Sequence, residues 1–325
     1  MSLFSPFDSN LDAMPRAHTA NSVVMVPPKE FAFNAQTAAD NEFQHAPTLS
    51  EEALRAAVMQ EFNAMVEGLR NAGVQVTEFD YPLAQTATPD AVFPNNWFAT
   101  LPSGEMFTFP MACPNRQLEV RPEALTQSLK QAGRRVKRVE HFAVSNSDAF
   151  LESTGVMVMD HFSGTIYAAL SQRCEREILE AFAERIGYRV VSFHTSLPSG
   201  SSVYHTNVMM SVGEEFCVIC DEVIPEFERR YVVKTLAKNK QVIHISLEQM
   251  NQFCGNVLQL QTINGDRVIA MSQSAYDAFS DAQRNQLAVH GKLLPFDVSN
   301  IETIGGGSVR CMLGEVFLPS RTTSL

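Results

Sequence analysis

The sequence predicts an α/β protein: one domain over residues 1–325, built as a five-fold pseudosymmetric α/β propeller in which hairpin, helix and strand units surround a central site. Three observations carry this. Five short runs open on a small or polar residue and continue apolar: NWFAT from Asn96, GVMVMD from Gly155, NVMMSV from Asn207, NVLQLQ from Asn256 and SVRCML from Ser308. Their starts lie 59, 52, 49 and 52 residues apart, a spacing that marks a repeat architecture. The N-terminal segment supplies the strand and helix that the last unit lacks, so both chain ends close one fifth repeat.

The first element is the strand NSVVMVP, followed by residues 27–48, which are long for a structureless connection and form either a lid over the axis or a surface loop pinned by Phe31, Phe33 and Phe43. A helix follows, with Leu54, Val58, Phe62, Met65 and Leu69 at helical intervals, Thr48 and Glu51 at capping-box spacing, and Gly73 at its end before the strand VQVTEF. Each of the five apolar runs then continues through a turn into a second strand: LPSGEMFTFP, HFSGTIYAAL, GEEFCVIC, INGDRVIAM and, at the C-terminus, GEVFLP. The Gly and Asn-Gly in these turns are hairpin chemistry. Four hairpins lead into a helix and a short strand: RPEALTQSLKQAG into RRVKRV, SQRCEREILEAFAERIG into YRVVSF, IPEFERRYVVKTLAKNK into QVIHIS, and SQSAYDAFSDAQRNQLAVHG into KLLPFD. Gly133, Gly187 and Gly291 stand where left-handed helix caps are expected.

Composition bounds the partners. With 45% hydrophobic and 19% charged residues the chain buries a substantial core, and a net charge of -11 argues against nucleic acid. No apolar run approaches the ~20 residues of a membrane span, and MSLFSPFDSNLDAMPR lacks the basic and apolar regions of a signal peptide, so a cytoplasmic location is expected. Six scattered cysteines do not form a disulfide framework. Cys217 and Cys220 are the one C-x-x-C pair; with no second ligand pair they are expected to be small core residues, and neither a metal nor a cofactor is expected.

In a ring, the entrances of the repeated strands face the same axis. Those entrances, PDAVFPNNW, AFLESTG, VYHTN and GGGSVRC, supply Asp90, Asn95, Asn96, Glu152, His205, Asn207 and Cys311. Each has a plain reading as well: a core cysteine, a structural histidine, a carboxylate at a solvated strand end. Drawn from three units, however, Cys311, His205 and Glu152 are what covalent thiol catalysis needs, namely a nucleophile, an acid/base and a group to orient it.

The repeat plan with LESTG, YHTN and GGGSVRCM resembles the pentein, or guanidino-group-modifying, superfamily of arginine deiminases, dimethylargininases and amidinotransferases. With TANSVVMVPPKEFAFNAQTAADNEFQ and PDAVFPNNWF, the chain most resembles the branch described as citrulline-utilisation hydrolases, often labelled amidinotransferases, from about Ala20 to Leu318. The resemblance implies Cys311 as nucleophile, His205 as general acid/base and Glu152 as the carboxylate that positions the imidazole. Arginine deiminases carry R-D-P-F and H-x-D where this chain has NNWF and HTN, so Asn96 and Asn207 stand where carboxylates would grip a guanidinium. A neutral ureido group offers an acceptor oxygen as well as donors, and an amide meets both.

The expected partner is therefore a small ureido or guanidino amino acid, citrulline before arginine, with Asp90 a candidate for the α-amino group and no cation singled out for the α-carboxylate. The alternatives are an arginine deiminase type hydrolase, in which Asp90 or another acid takes the cation while the asparagines cap strands, then an amidinotransferase, then a non-catalytic binding ring. Homo-oligomerisation is left open. Arg310, next to Cys311, is expected on the opposite face of a strand.

Overall fold

The computed structural model describes residues 18–82, 86–144 and 149–321. The N-terminal stretch examined for a targeting signal lies outside them. No helix among the described residues is long and apolar enough to cross a membrane.

The fold repeats one three-stranded sheet five times. β1 (Ser22–Met25) and β2 (Gln75–Glu78) flank the helix Glu51–Asn71. β3 (Phe98–Thr100), β4 (Glu105–Thr108) and β5 (Arg138–His141) form the next sheet, and β6 (Val158–Asp160), β7 (Thr165–Ala169) and β8 (Arg189–Phe193) another. β9 (Met210–Val212), β10 (Phe216–Ile219) and β11 (Gln241–His244) precede β12 (Leu258–Gln261), β13 (Arg267–Ser272) and β14 (Lys292–Phe296). In each of these four sheets the first strand pairs antiparallel with the second and the second parallel with the third. The parallel step needs a crossover, which the helices Pro122–Gln131, Arg176–Ile186, Glu226–Leu236 and Asp281–Ala288 provide.

The remaining sheet has the same topology with its parts redistributed. β15 (Gly314–Glu315) takes the first place, pairing Val23 with Glu315 antiparallel, while β1 and β2 run parallel. The expected C-terminal hairpin is therefore not formed: the strand that would answer β15 from within the C-terminal segment is supplied by β1. Contacts of β15 with β3, β6 with β9 and β9 with β12, and the bond from Gln261 N–H to Ala20 C=O, link the sheets in sequence and fit a pseudo-five-fold arrangement.

The most consequential departure from expectation lies at the strand entrances. Asn96, Gly155, Asn207 and Cys311 are not in strands. Pro94–Asn96 is a 3-10 turn, Ser153–Val156 and Thr206–Met209 are single helical turns, and residues 309–312 form a turn before β15. A helical turn places consecutive side chains about 100° apart rather than on alternate faces, so the polar residues cluster where strands would have split them. Arg310 accordingly donates to Leu313 C=O and to Glu315 instead of following strand alternation.

Smaller differences have local causes. The long helix is capped by Ser50, whose side chain accepts from Ala53 N–H, not by Thr48. Its inward stripe is the expected one, Leu54, Val58, Phe62, Met65 and Leu69, and each such side chain contributes about 1.5–3 kcal/mol on full burial. The strand expected over residues 134–139 begins at Arg138, because Arg134 pairs with Ser320 instead. The single helix expected over residues 272–291 is two, Gln273–Ala278 and Asp281–Ala288, since Phe279 is extended and Ser280 starts a new helix with a capping box. Gly187 ends its helix in the left-handed region, but Gly291 does not; there a Cβ would come within 2.9 Å of Arg267 C=O. Cys217 and Cys220 are both fully buried, and burial pushes each thiol up to about 12.

Candidate active site

Cys311 sits in the turn after the triple glycine, 2% exposed, with its own N–H donating to Ser308 C=O at 2.9 Å. Its sulfur accepts from the side-chain amides of Asn256 at 3.3 Å and Asn207 at 3.5 Å. The glycines before it are dictated by packing. A Cβ on Gly305 or Gly307 would lie 2.8 or 2.9 Å from the Phe93 ring, and Gly306, at φ +64°, turns the chain out of the helix Ser299–Gly305.

His205 immediately precedes its helical turn, and its Nε2 is 2.7 Å from Oε2 of Glu152. Glu152 stands in the same place before Ser153–Val156, where Ser153 has φ +43°. The Glu152 carboxylate is fully engaged: Oε1 accepts from Ala112 N–H at 3.1 Å, and Oε2 also accepts from Arg173 Nη1 at 3.2 Å. Burial alone would raise its pKa, but Arg173 and the bond to His205 outweigh that and hold it well below the usual carboxylate range. Burial lowers the His205 pKa, opposed by the same Glu152 bond, so the resting imidazole is neutral at pH 7.

Cys311 and His205 line one narrow cavity with Asp90, Asn96, Arg116 and Arg173. Asp90 Oδ2 accepts from Asn34 Nδ2 at 2.7 Å and Thr37 Oγ1 at 3.0 Å, while Oδ1, also buried, has no partner among the described residues. Burial raises the Asp90 pKa against Arg116 and the two hydrogen bonds. Asn96 Oδ1 accepts from Arg116 Nη1 at 2.9 Å and its amide donates to Asn95 Oδ1. Of the residues expected at the site, Asn95 is buried away from this cavity, and Asn207 borders a different one with Thr154 and Arg310 while still touching the Cys311 sulfur.

Residues 27–48 close the front. Thr37 and Asn41 line the cavity, Asn41 Nδ2 donates to Gly306 C=O, Gln44 Nε2 donates to Ile304 C=O, and Asp40 forms a forked pair with Arg173. Phe31 is buried beneath and Phe33 is at the surface, so of the three aromatics Phe31 is the firmest anchor.

Three members of the site were not expected. Asn256 opens the fourth apolar run in the position of Asn96 and Asn207, so the repeat alignment carried the signal. Arg116 and Arg173 follow no repeat; Arg116 lies in a short turn, 3% exposed at the side chain and forked onto Glu119, and nothing in their neighbourhood distinguishes them from surface arginines. No group of three or more His, Cys, Asp or Glu among the described residues is placed to hold a metal ion.

Comparisons with known proteins bear on the family and the fold. A family model described as "N,N dimethylarginine dimethylhydrolase, eukaryotic" matches residues 27–318. No curated protein sequence matches the chain. Among solved structures, the N-terminal domain of ArgZ, a cyanobacterial arginine dihydrolase, superposes with TM-score 0.69 at 16% identity over 91% of this chain and 97% of that one. A complex of an AgrE variant with L-arginine gives 0.71 at 16% identity over 93% of this chain but 41% of its own length. A dimethylarginine dimethylaminohydrolase variant carrying an S-methyl-L-thiocitrulline adduct gives 0.62 at 16% identity over 91% and 100%.

Proposed function

The chain belongs to the N,N dimethylarginine dimethylhydrolase family of the pentein superfamily, and from that premise we propose that it is a thiol-dependent hydrolase cleaving the ureido C–N bond of citrulline. The observation that supports the thiol chemistry best is the pairing of Cys311 and His205 on one cavity with Glu152 bonded behind the imidazole.

A free thiol is mostly protonated at neutral pH and the thiolate is the nucleophile, so the thiol proton is removed before attack. The amides of Asn256 and Asn207 donate to the sulfur and fix its position. Neutral His205 takes the proton of the Cys311 thiol, and the thiolate so formed attacks the ureido carbon to give a tetrahedral adduct. Collapse breaks the bond to the δ-nitrogen, and protonated His205 gives that nitrogen its proton, releasing ornithine and leaving a carbamoyl group on Cys311. The neutral imidazole then takes a proton from water, which attacks the carbamoyl carbon and expels the thiolate. The carbamate so formed falls apart to ammonia and carbon dioxide. Glu152, ionised throughout, holds the ring and stabilises its charged form.

The residue types at Asn96 and Asn207 favour a neutral reacting group. Asn96 and Asn207 stand where carboxylates would hold a guanidinium, and Asn96 presents its oxygen to Arg116 rather than to the cavity. The same cavity suits the amino-acid end of the substrate: Asp90 Oδ1 is an unpaired acceptor for an α-ammonium, and Arg116 and Arg173 are the cations for an α-carboxylate. Arginine is the second reading, favoured by that same bare Asp90 oxygen, which a guanidinium would also satisfy.

The test incubates the protein and its Cys311→Ala variant separately with citrulline, arginine and N,N-dimethylarginine and measures ornithine, citrulline and ammonia. Cysteine-dependent ornithine from citrulline is expected, with arginine untouched. Citrulline formed from either guanidino compound would leave the thiol mechanism standing and overturn the ureido assignment. Turnover of none would favour an amidinotransferase or a non-catalytic ring.

A further inference from the structure

Glu302 is a buried carboxylate with no place in the reaction above, yet it is tied to the nucleophile through the main chain. It lies in the helix Ser299–Gly305, 5% exposed, and does not line the central cavity. Its Oε1 accepts from Ser308 Oγ at 2.6 Å and its Oε2 from Ser274 Oγ at 2.5 Å. Its own carbonyl accepts from Gly306 N–H at 2.9 Å. Ser308 in turn offers its carbonyl to Cys311 N–H at 2.9 Å and to Met312 N–H at 3.3 Å. One residue therefore fixes Gly306, where the chain reverses, and Ser308, where the turn of the nucleophile begins.

We infer that Glu302 is a positioning residue for Cys311, acting through Ser308 on the turn that aims the thiol. The chemistry of the contact explains the residue type. The serines Ser272, Ser274 and Ser308 all bond to this one side chain, Ser274 and Ser308 on different oxygens. An ionised carboxylate accepts from both, and the 2.5–2.6 Å spacings are those of O–H···O⁻ bonds. In an amide one of the two positions is an NH2, which donates and does not accept, so one of these two serines loses its acceptor. Ser274 belongs to the helix Gln273–Ala278, which follows β13 directly, so the carboxylate anchors the glycine-rich segment to the neighbouring sheet. Three consecutive glycines are the least self-supporting backbone in the protein, and a reactive group carried on them needs an external brace.

The inference rests on Cys311 being the nucleophile, as proposed above, and its test separates the two ideas. The rate of Cys311 alkylation by iodoacetamide, followed by peptide mass so that Cys113 is scored apart, needs no substrate. It is measured for the wild type, Ser308→Ala, Glu302→Gln and the double variant, alongside kcat and KM on citrulline. Ser308→Ala removes one oxygen and is the variant least able to unfold the chain. It is expected to slow alkylation and kcat by about 10²-fold with KM little changed. Glu302→Gln is expected to fall between it and the wild type, and the double variant to be no worse than Ser308→Ala, because both residues act through one bond.

Alkylation of Ser308→Ala at the wild-type rate would overturn the inference, as would losses that multiply in the double variant. If the alkylation pattern holds while citrulline is not turned over by the wild type, the positioning role stands and the substrate assignment falls.

Discussion

His205 and Glu152 meet through a 2.7 Å bond between Nε2 and Oε2, both side chains fully enclosed by protein. The carboxylate is held ionised by Arg173, so the imidazole always faces an anion, and the pair can pass from neutral to protonated imidazole without moving. Replacing Glu152 with Gln preserves the shape and removes the charge. Activity is expected to fall by about 10²- to 10⁴-fold.

The same substitution should shift the pH profile in a defined direction. Burial already lowers the His205 pKa from its ordinary value of about 6.5, and Glu152 opposes that shift. The acid limb of kcat/KM in the wild type is therefore expected below 6.5 if it reports this group. In Glu152→Gln, with the opposing anion gone, the limb moves to still lower pH. A limb that moved upward would contradict the assignment of His205 as the titrating group.

Gly155 is expected to tolerate no side chain. A Cβ there would lie 2.4 Å from Asn96 Nδ2 and 3.0 Å from His205 Nδ1, so Gly155→Ala must displace one or both. A displacement of this kind costs about 10²-fold in kcat while the fold survives. Circular dichroism and steady-state kinetics on the variant check both halves of the statement; full activity would show that the two side chains yield without consequence.

Asn256 is expected to matter to stability as well as to the thiol. Its amide donates to Asn207 C=O at 2.8 Å and to Cys311 Sγ, and its oxygen accepts from Arg310 N–H at 3.0 Å, all with no exposure. Asn256→Ala leaves a carbonyl and an N–H without partners, at about 1–3 kcal/mol for each orphaned group. A denaturant titration should show the loss as a lower midpoint with an unchanged slope. The variant should also alkylate Cys311 more slowly at neutral pH, having lost a donor to the thiolate.

Much of the ring was legible because its elements obey two periods. The helix of Leu54, Val58, Phe62, Met65 and Leu69 and the paired strands around Gly164 and Gly265 announce themselves by local spacing. Cys311, His205 and Glu152 stand out for a different reason, their places near the strand entrances of three units and the resemblance carried by GGGSVRCM, YHTN and LESTG.

What was not legible depends on contacts made across the ring. The turns at the strand entrances carry apolar residues such as Val309 and Met312, whose local pattern reads as strand although the chain turns there. Arg173 was invisible because its significance comes from Glu152 and Asp40, residues no local pattern connects with it, and the i,i+3 pair of Arg116 with Glu119 reads in sequence like any exposed pair although both are buried. The spacing of GGGSVRC gave no hint that Gly305 and Gly307 pack against the Phe93 ring.

The redistributed sheet of β15, β1 and β2 has a consequence for how the molecule comes into being. β1 cannot receive its antiparallel neighbour until the opposite end of the chain has been synthesised, and pairings of such long sequence separation are slow to form. The segment bearing Cys311 runs directly into β15, so the thiol gains its amide donors only as the circle shuts. A ribosome-bound chain therefore contains both His205 and Glu152 long before it contains the segment that sets Cys311 beside the Asn207 and Asn256 amides.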